Sequence, residues 1–231
     1  MSTIRSKSVS AAVERQMRNW ELARQQEITA PETSAATQPF VTISRMVGSG
    51  GTEVARHLAA AIDWPLFDRE LLLHMSGDDG VRQRIYETLD ERDQSFIEES
   101  LLSFTTAEFR RNDYFRRLTE TMLALVRHGH AIFLGRGADL VLPRGCGLRV
   151  RVVSLPALCA QAFAERTGMS AIDAAREIER IEQQRSRFIR SHFHEEPDAP
   201  DRFDLVANLA SLSVDETVEM ILAVMRKRGL L

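Results

Sequence analysis

The stretch Phe40-Val-Thr-Ile-Ser-Arg-Met-Val-Gly-Ser-Gly-Gly-Thr-Glu-Val-Ala-Arg56 decides how the chain is read. A short apolar strand, Phe40 to Ile43, runs into a turn of small residues, Gly48, Ser49, Gly50, Gly51 and Thr52. A helix follows, with Val54, Leu58, Ala61 and Ile62 on one face of a 3.6-residue period. Strand, glycine-rich turn and helix together aim several backbone N–H groups and a helix N-terminus at one spot, and that spot attracts phosphate. A βα turn that needs glycine only for positive φ uses fewer small residues than this. Phosphate binding is therefore the expectation.

Set against the phosphate-loop pattern G-x-x-x-x-G-K-[ST], Gly50 and Thr52 fit. Gly51 stands where the pattern has lysine and Arg45 where it has its first glycine. Arg45 is a candidate to take over the lysine's role, and an arginine ending a strand is also an ordinary ion-pair residue.

With 231 residues the chain can bury one substantial core. Its formal net charge of −3 gives no global argument for nucleic acid or an anionic membrane. Cys146 and Cys159 sit in no metal-ligand spacing, so a reducing, cytoplasmic setting is expected. No apolar run is long enough to span a membrane. The first residues lack the apolar core of a secretory signal; Ser- and Arg-rich and poor in acid, they have the loose composition of a transit peptide.

Residues 9–27 predict a helix with Val13, Met17 and Trp20 on a narrow apolar stripe, followed by a linker at 29–38. Such a stripe wants a partner, the body of this chain or a second copy of it. Residues 1–39 thus read as a helical arm and linker, and residues 40–231 as the functional domain. Within that domain Trp64 to Phe67 predicts a second strand, and Asp68-Arg69-Glu70 opens a helix in which Asp68 is an ordinary N-cap and Arg69 a solvated first-turn residue. Helices are expected at 81–91, 94–104 and 112–127. His130 to Leu134 is a continuous apolar run suited to a central parallel strand, ending in Gly135-Arg136-Gly137. Leu148 to Val153 forms the next strand; its alternating Arg149 and Arg151 imply one less buried face. Helices are then expected at 155–166 and 171–190, a last strand at 203–208, and a final helix opened by the capping box Ser213-Val-Asp-Glu216. Strand–helix alternation predicts an α/β sandwich with a parallel sheet of about five strands and helices on both faces.

Four blocks together resemble the cytidylate kinase-like family of P-loop nucleoside monophosphate kinases. They are Val41-Thr-Ile-Ser-Arg-Met-Val-Gly-Ser-Gly-Gly51, Phe67-Asp-Arg-Glu-Leu71, Phe133-Leu-Gly-Arg-Gly-Ala-Asp139, and Phe203-Asp-Leu-Val206 followed by Leu212-Ser213. The resemblance covers residues 40–228 and implies a P-loop NTPase-type fold with helical lid and acceptor insertions. It implies transfer of the γ-phosphoryl of ATP to a nucleoside monophosphate, CMP or dCMP in this family, with Mg²⁺. On that reading Gly48, Ser49, Gly50, Gly51 and Thr52, with Arg45, hold the ATP phosphates, and the Thr52 hydroxyl ligates Mg²⁺. Arg136 holds the acceptor phosphate, Asp68, Arg69 and Asp139 line the acceptor side, and Arg185, Arg187 and Arg190 close over the transferring group. Phosphoryl transfer needs charge neutralisation and alignment more than a covalent catalyst, and arginine's planar fork suits phosphate oxygens.

Each of these residues also has a plainer reading. Arg136 and Asp139 can pair with each other, and the arginines at 185–190 can pair with Glu179 and Glu182. Asn208 is either near the donor base or a strand-terminating turn residue. His192 and His194 with Glu195 lack the further ligands a metal site needs. Gly51 in the lysine's position also motivates a second function: a nucleotide-binding regulatory module with weak or no catalysis, using the N-terminal helix as its interaction arm.

Overall fold

The computed structural model describes residues 37–87, 89–102, 104 and 112–231. The helix expected at 9–27 and most of its linker lie outside the described residues.

Five strands, β1 (Phe40–Arg45), β2 (Leu66–Phe67), β3 (Ala131–Leu134), β4 (Gly147–Val153) and β5 (Leu205–Asn208), form one parallel sheet in the order β2-β3-β1-β4-β5. In the β4–β5 pair, Val150 lies opposite Leu205 and Val153 opposite Asn208. The chain divides into two compact units. Among the described residues one comprises Val41–Leu66 and Ile132–Leu231, and the other comprises residues 37–40 and 67–131.

The first unit carries α1 (Gly51–Ile62), α6 (Ala138–Val141), α7 (Pro156–Thr167), α8 (Ala171–Phe193) and α9 (Val214–Lys227). Its core joins Val41 and Ile43 of β1, Ile132 and Leu134 of β3, and Leu148, Val150 and Val152 of β4 to α1 and α9. Leu58 of α1 and Ile221 of α9 are fully buried, each contributing about 1.5–3 kcal/mol by leaving water. The α9 N-terminus forms its capping box, Ser213 Oγ accepting the Glu216 N–H while the Glu216 carboxylate accepts the Ser213 N–H. A second, smaller core holds α7 and α8 together around Val47, Phe163 and Ala174.

The arginine face of β4 is the less buried one, as expected, half-buried at Arg151 and Val153, while Arg149 is 3% exposed. Its guanidinium donates to the carbonyls of Asp139 and Leu142 at 3.0 and 2.8 Å, which is what lets it sit inside. Arg151 donates to Ser44 Oγ at 2.7 Å and pairs with Asp198.

The second unit is helical: α2 (Arg69–Gly77), α3 (Asp79–Glu87), α4 (Glu91–Leu102) and α5 (Asp113–His128). The stripe of α5 expected from the sequence is buried, with Phe115, Leu118 and Met122 wholly inside. Helices α3 and α4 begin two to three residues earlier than the apolar pattern implied, with acidic residues in their first turns where the helix dipole favours them. Glu120, 5% exposed, accepts from Arg82 at 2.8 Å and from Arg116 at 3.0 Å. The Arg127–Asp93 pair closes at 2.5 Å.

Candidate active site

A cleft of about 860 Å³ opens at the carboxyl ends of β1, β4 and β5. The chain leaves β1 toward β2 on one side of the sheet and leaves β4 toward β5 on the other. Ligands gather at such a switch point in parallel sheets. The turn singled out from the sequence, Gly48 to Thr52, lines this cleft with Arg45 and Arg185.

Two glycines give the turn its shape. Gly48 and Gly50 have φ of +80° and +84°. A Cβ at Gly48 would also lie 2.3 Å from the Cys159 carbonyl oxygen, so the loop and α7 touch backbone to backbone there. Gly50 is the N-cap of α1, and no side chain caps it. The first-turn amides of α1 are thus presented without an internal side-chain acceptor, as an anion site requires. Thr52 is half-buried and lines the cleft. Ser49 departs from its expected role: its hydroxyl lies 2.9 Å from the Met46 carbonyl and 3.4 Å from that of Val152, and it is 3% exposed. Its side chain shapes the turn from inside, and its N–H also donates to the Met46 carbonyl at 3.3 Å.

Gly51 has no room for the lysine of the usual pattern. A Cβ there would lie 2.5 Å from Arg45 Cβ and 3.1 Å from both Arg45 Cγ and Val152 Cβ. The arginine stem occupies the volume from which a lysine would start. Its far end reaches the exit of β3, where Nη1 lies 2.3 Å from the position of a Cβ on Gly135.

Helix α8 is fastened to the base of the loop. The Val47 N–H donates to Glu182 Oε1 at 2.6 Å, and Arg185 Nη1 donates to Glu182 Oε1 at 3.2 Å and to the Arg45 carbonyl at 3.1 Å. Arg185 is thereby held in the cleft wall. Arg187 is exposed on the same helix, and Arg190, also exposed, forms a two-pronged pair with Glu196 at 3.2 and 2.9 Å. Of the three arginines, the structure brings only Arg185 to the cleft.

Gly135, Arg136 and Gly137 follow β3 with φ of +81°, +60° and +69°. Two of these are glycines, which adopt such angles freely; Arg136 does so at some strain. Its guanidinium lies 6.0 Å from the Phe188 ring centroid of α8. Gly137 is required as well by contact, since a Cβ would meet the Phe193 ring at 2.6 Å.

Asp139 has a structural task. It is 7% exposed, and Arg202, 4% exposed, donates to its Oδ2 at 2.5 and 3.2 Å, while Arg202 Nη1 bonds the Glu196 carbonyl at 2.7 Å. Its partner is Arg202, not Arg136, and both bonds go to Oδ2. Asp68 and Arg69 lie in the helical unit, where Asp68 Oδ1 caps α2 through the Leu71 N–H at 3.0 Å and Arg69 is exposed. Asn208 is a turn residue, its Oδ1 accepting the Ala210 N–H at 3.0 Å. Among the described residues no group of three or more His, Cys, Asp or Glu side chains forms a metal cluster, the His192–Glu195 run included.

Sequence reading offered Glu182 as a partner for Arg185, as the structure has it, but missed its bond to Val47, the fastening of α8 to the loop, and the cleft residues Ser154, Leu158, Arg166 and Leu209. Arg166 is exposed with its guanidinium 5.2 Å over the Phe163 ring. Only its position before the helix-ending Gly168 could have drawn attention to it. Cys159, beneath the loop, is an inert thiol: burial pushes its pKa up, and the charge of Glu182 adds to this. No helix among the described residues is long and apolar enough to cross a membrane.

The fold has a counterpart among solved structures. A crystal structure of an uncharacterized protein from Eubacterium ventriosum ATCC 27560 aligns with a TM-score of 0.67 at 19% identity, covering 82% of this chain and 99% of that one. Shikimate kinase from Bacteroides thetaiotaomicron aligns with a TM-score of 0.43 at 14% identity over 83% of this chain and 99% of its own. A gluconokinase from Sinorhizobium meliloti 1021 gives 0.41 at 15% identity over 83% and 93%. Comparison with curated proteins gave no match. The sequence itself matches a family over residues 40–211, a span that holds β1 to β5 and the whole glycine-rich turn. The chain belongs to the cytidylate kinase-like family.

Proposed function

We propose that this chain is a phosphotransferase that moves the γ-phosphoryl of ATP to a nucleoside monophosphate, CMP or dCMP being the acceptor that family resemblance implies. The observation that carries the reading is the uncapped N-terminus of α1 at the cleft, reached through a turn with two left-handed glycines. Its backbone amides and the guanidinium of Arg185 suit a polyphosphate. The apolar side chains of Leu158, Leu209 and Leu212 in the same cleft suit a flat base.

In the reaction proposed, an oxygen of the acceptor phosphate, already ionised near neutral pH, bonds to the γ-phosphorus. The bond to the bridging oxygen breaks, its electron pair leaves with ADP, and no proton has to move. The chain's task is to align the two oxygens and offset charge, with the loop amides on the donor and Arg136 on the acceptor. Thr52, which lines the cleft, would offer Mg²⁺ a hydroxyl oxygen beside the phosphates, and the bound ion would supply charge neutralisation there.

The non-catalytic alternative rested on Gly51. Because the stem of Arg45 fills the lysine's volume, the glycine there is matched to a cation close by, which weighs for the enzyme. A cytoplasmic setting and a homodimer through residues 9–27 belong to the same proposal, the latter checked by sedimentation of the full chain. Calorimetric titration with ATP and Mg²⁺ tests the donor site. Saturable binding of ATP supports it, and absence of binding would sink it.

A further inference from the structure

The chain contains two lysines, Lys7 and Lys227. Lys7 lies outside the described residues, and Lys227 is in the last turn of α9, away from the lining of the cleft. If the site handles ATP, as proposed above, the side-chain cations that line it among the described residues are the arginines Arg45, Arg166 and Arg185. Three observations select one. Arg45 Cβ lies 2.5 Å from where the Cβ of a residue 51 side chain would be, so the two side chains would start from one point. Its guanidinium extends to the exit of β3, within reach of the Gly135-Arg136-Gly137 turn. Its main chain is fixed, the carbonyl accepting from Arg185 and the following Met46 N–H donating to the Val152 carbonyl at 3.0 Å.

We propose that Arg45 replaces the phosphate-loop lysine: the cation has moved from the first turn of α1 to the end of β1, and Gly51 is glycine so that the arginine stem can pass. From there the guanidinium spans the interval between the donor loop and the acceptor turn after β3. It bears on the oxygens that gain charge as the γ-phosphoryl leaves ADP. An arginine offers a planar pair of donors where lysine offers a point charge, and the longer side chain compensates for a start on the strand. Gly135 serves the same side chain at its other end, with a φ of +81° and the arginine head against its Cα.

The test is Arg45→Met, which keeps an unbranched stem against Gly51 and removes the charge. Calorimetry with ATP and with AMP, each with Mg²⁺, is run beside thermal melting and ADP release. The expected result is a chain that still melts cooperatively, ATP affinity down about tenfold with AMP affinity unchanged, and turnover down about 10²–10³-fold. Arg45→Lys should recover part of the ATP affinity. ATP affinity within about threefold of wild type in Arg45→Met would overturn the assignment, as would equal loss of ATP and AMP. A wild-type chain that binds no ATP would fail at the earlier step and remove the nucleotide reading itself.

Discussion

The Glu182 carboxylate accepts the Val47 backbone N–H at 2.6 Å across 135 positions of sequence, tying the long helix α8 to the base of the glycine-rich turn. Arg185, one turn further along α8, bonds the same carboxylate and the Arg45 carbonyl, so the helix grips the turn at two backbone groups. Glu182→Ala is predicted to cost about 1 kcal/mol in urea unfolding, because hydrogen bonds to charged groups contribute about 1.5–3 kcal/mol and this one is partly solvated. It should also weaken ATP binding, since Arg185 loses its anchor. Unchanged stability and affinity would mean that the tie does not hold in solution.

Asp139 and Arg202 separate a structural role from a binding one. Both side chains are nearly inaccessible, at 6% and 4%. Asp139→Ala leaves a buried guanidinium without its counter-charge, and a loss of about 3–5 kcal/mol is predicted from equilibrium unfolding. Normal stability with a raised KM for the acceptor would instead return Asp139 to the acceptor side.

Arg136 adopts a left-handed backbone between two glycines. Arg136→Gly is expected to leave stability within about 1 kcal/mol of wild type, relief of backbone strain offsetting the lost contact with Phe188. Acceptor use should fall far more than ATP affinity. Initial rates at varied acceptor concentration check this, and equal loss of both would count against Arg136 as the acceptor clamp.

In the helical unit, burial and the neighbouring charge of Glu120 push Tyr86 up to about 12. A phenol whose pKa is raised on folding contributes stability that is present below its unfolded value near 10 and is lost as pH rises toward 12. Urea unfolding between pH 9 and 12 should therefore show a steeper decline for wild type than for Tyr86→Phe (about 10 being the ordinary phenol pKa). Parallel declines would mean that the phenol titrates alike in both states.

How much of this was legible in sequence depends on the range of the interaction. The strand–turn–helix at Phe40–Arg56, the apolar run before Gly135, the stripe of α5 and the Ser213 capping box are local patterns, and each formed, except that α1 buries Ala55 and leaves Ala61, expected on its apolar face, exposed. The count of five strands follows from strand–helix alternation, whereas their order, β2-β3-β1-β4-β5, is set by packing between distant segments. Pairings between distant segments leave no periodic trace. Arg149 stands in sequence on the less buried face of its strand, and nothing there shows that the carbonyls of Asp139 and Leu142 meet its guanidinium. Glu182 reads as one more charge on a charged helix. The Gly51 anomaly was visible in sequence, but its cause, the stem of Arg45 in the same volume, is a matter of packing.

The central claim is phosphoryl transfer, and its most direct measurement is ADP release from ATP and Mg²⁺ by the full chain against a panel of nucleoside monophosphates. The account predicts turnover with one acceptor class, CMP or dCMP first, well above ATP hydrolysis without acceptor. ATP bound in the calorimeter with no acceptor-dependent ADP release from any member of the panel would contradict it.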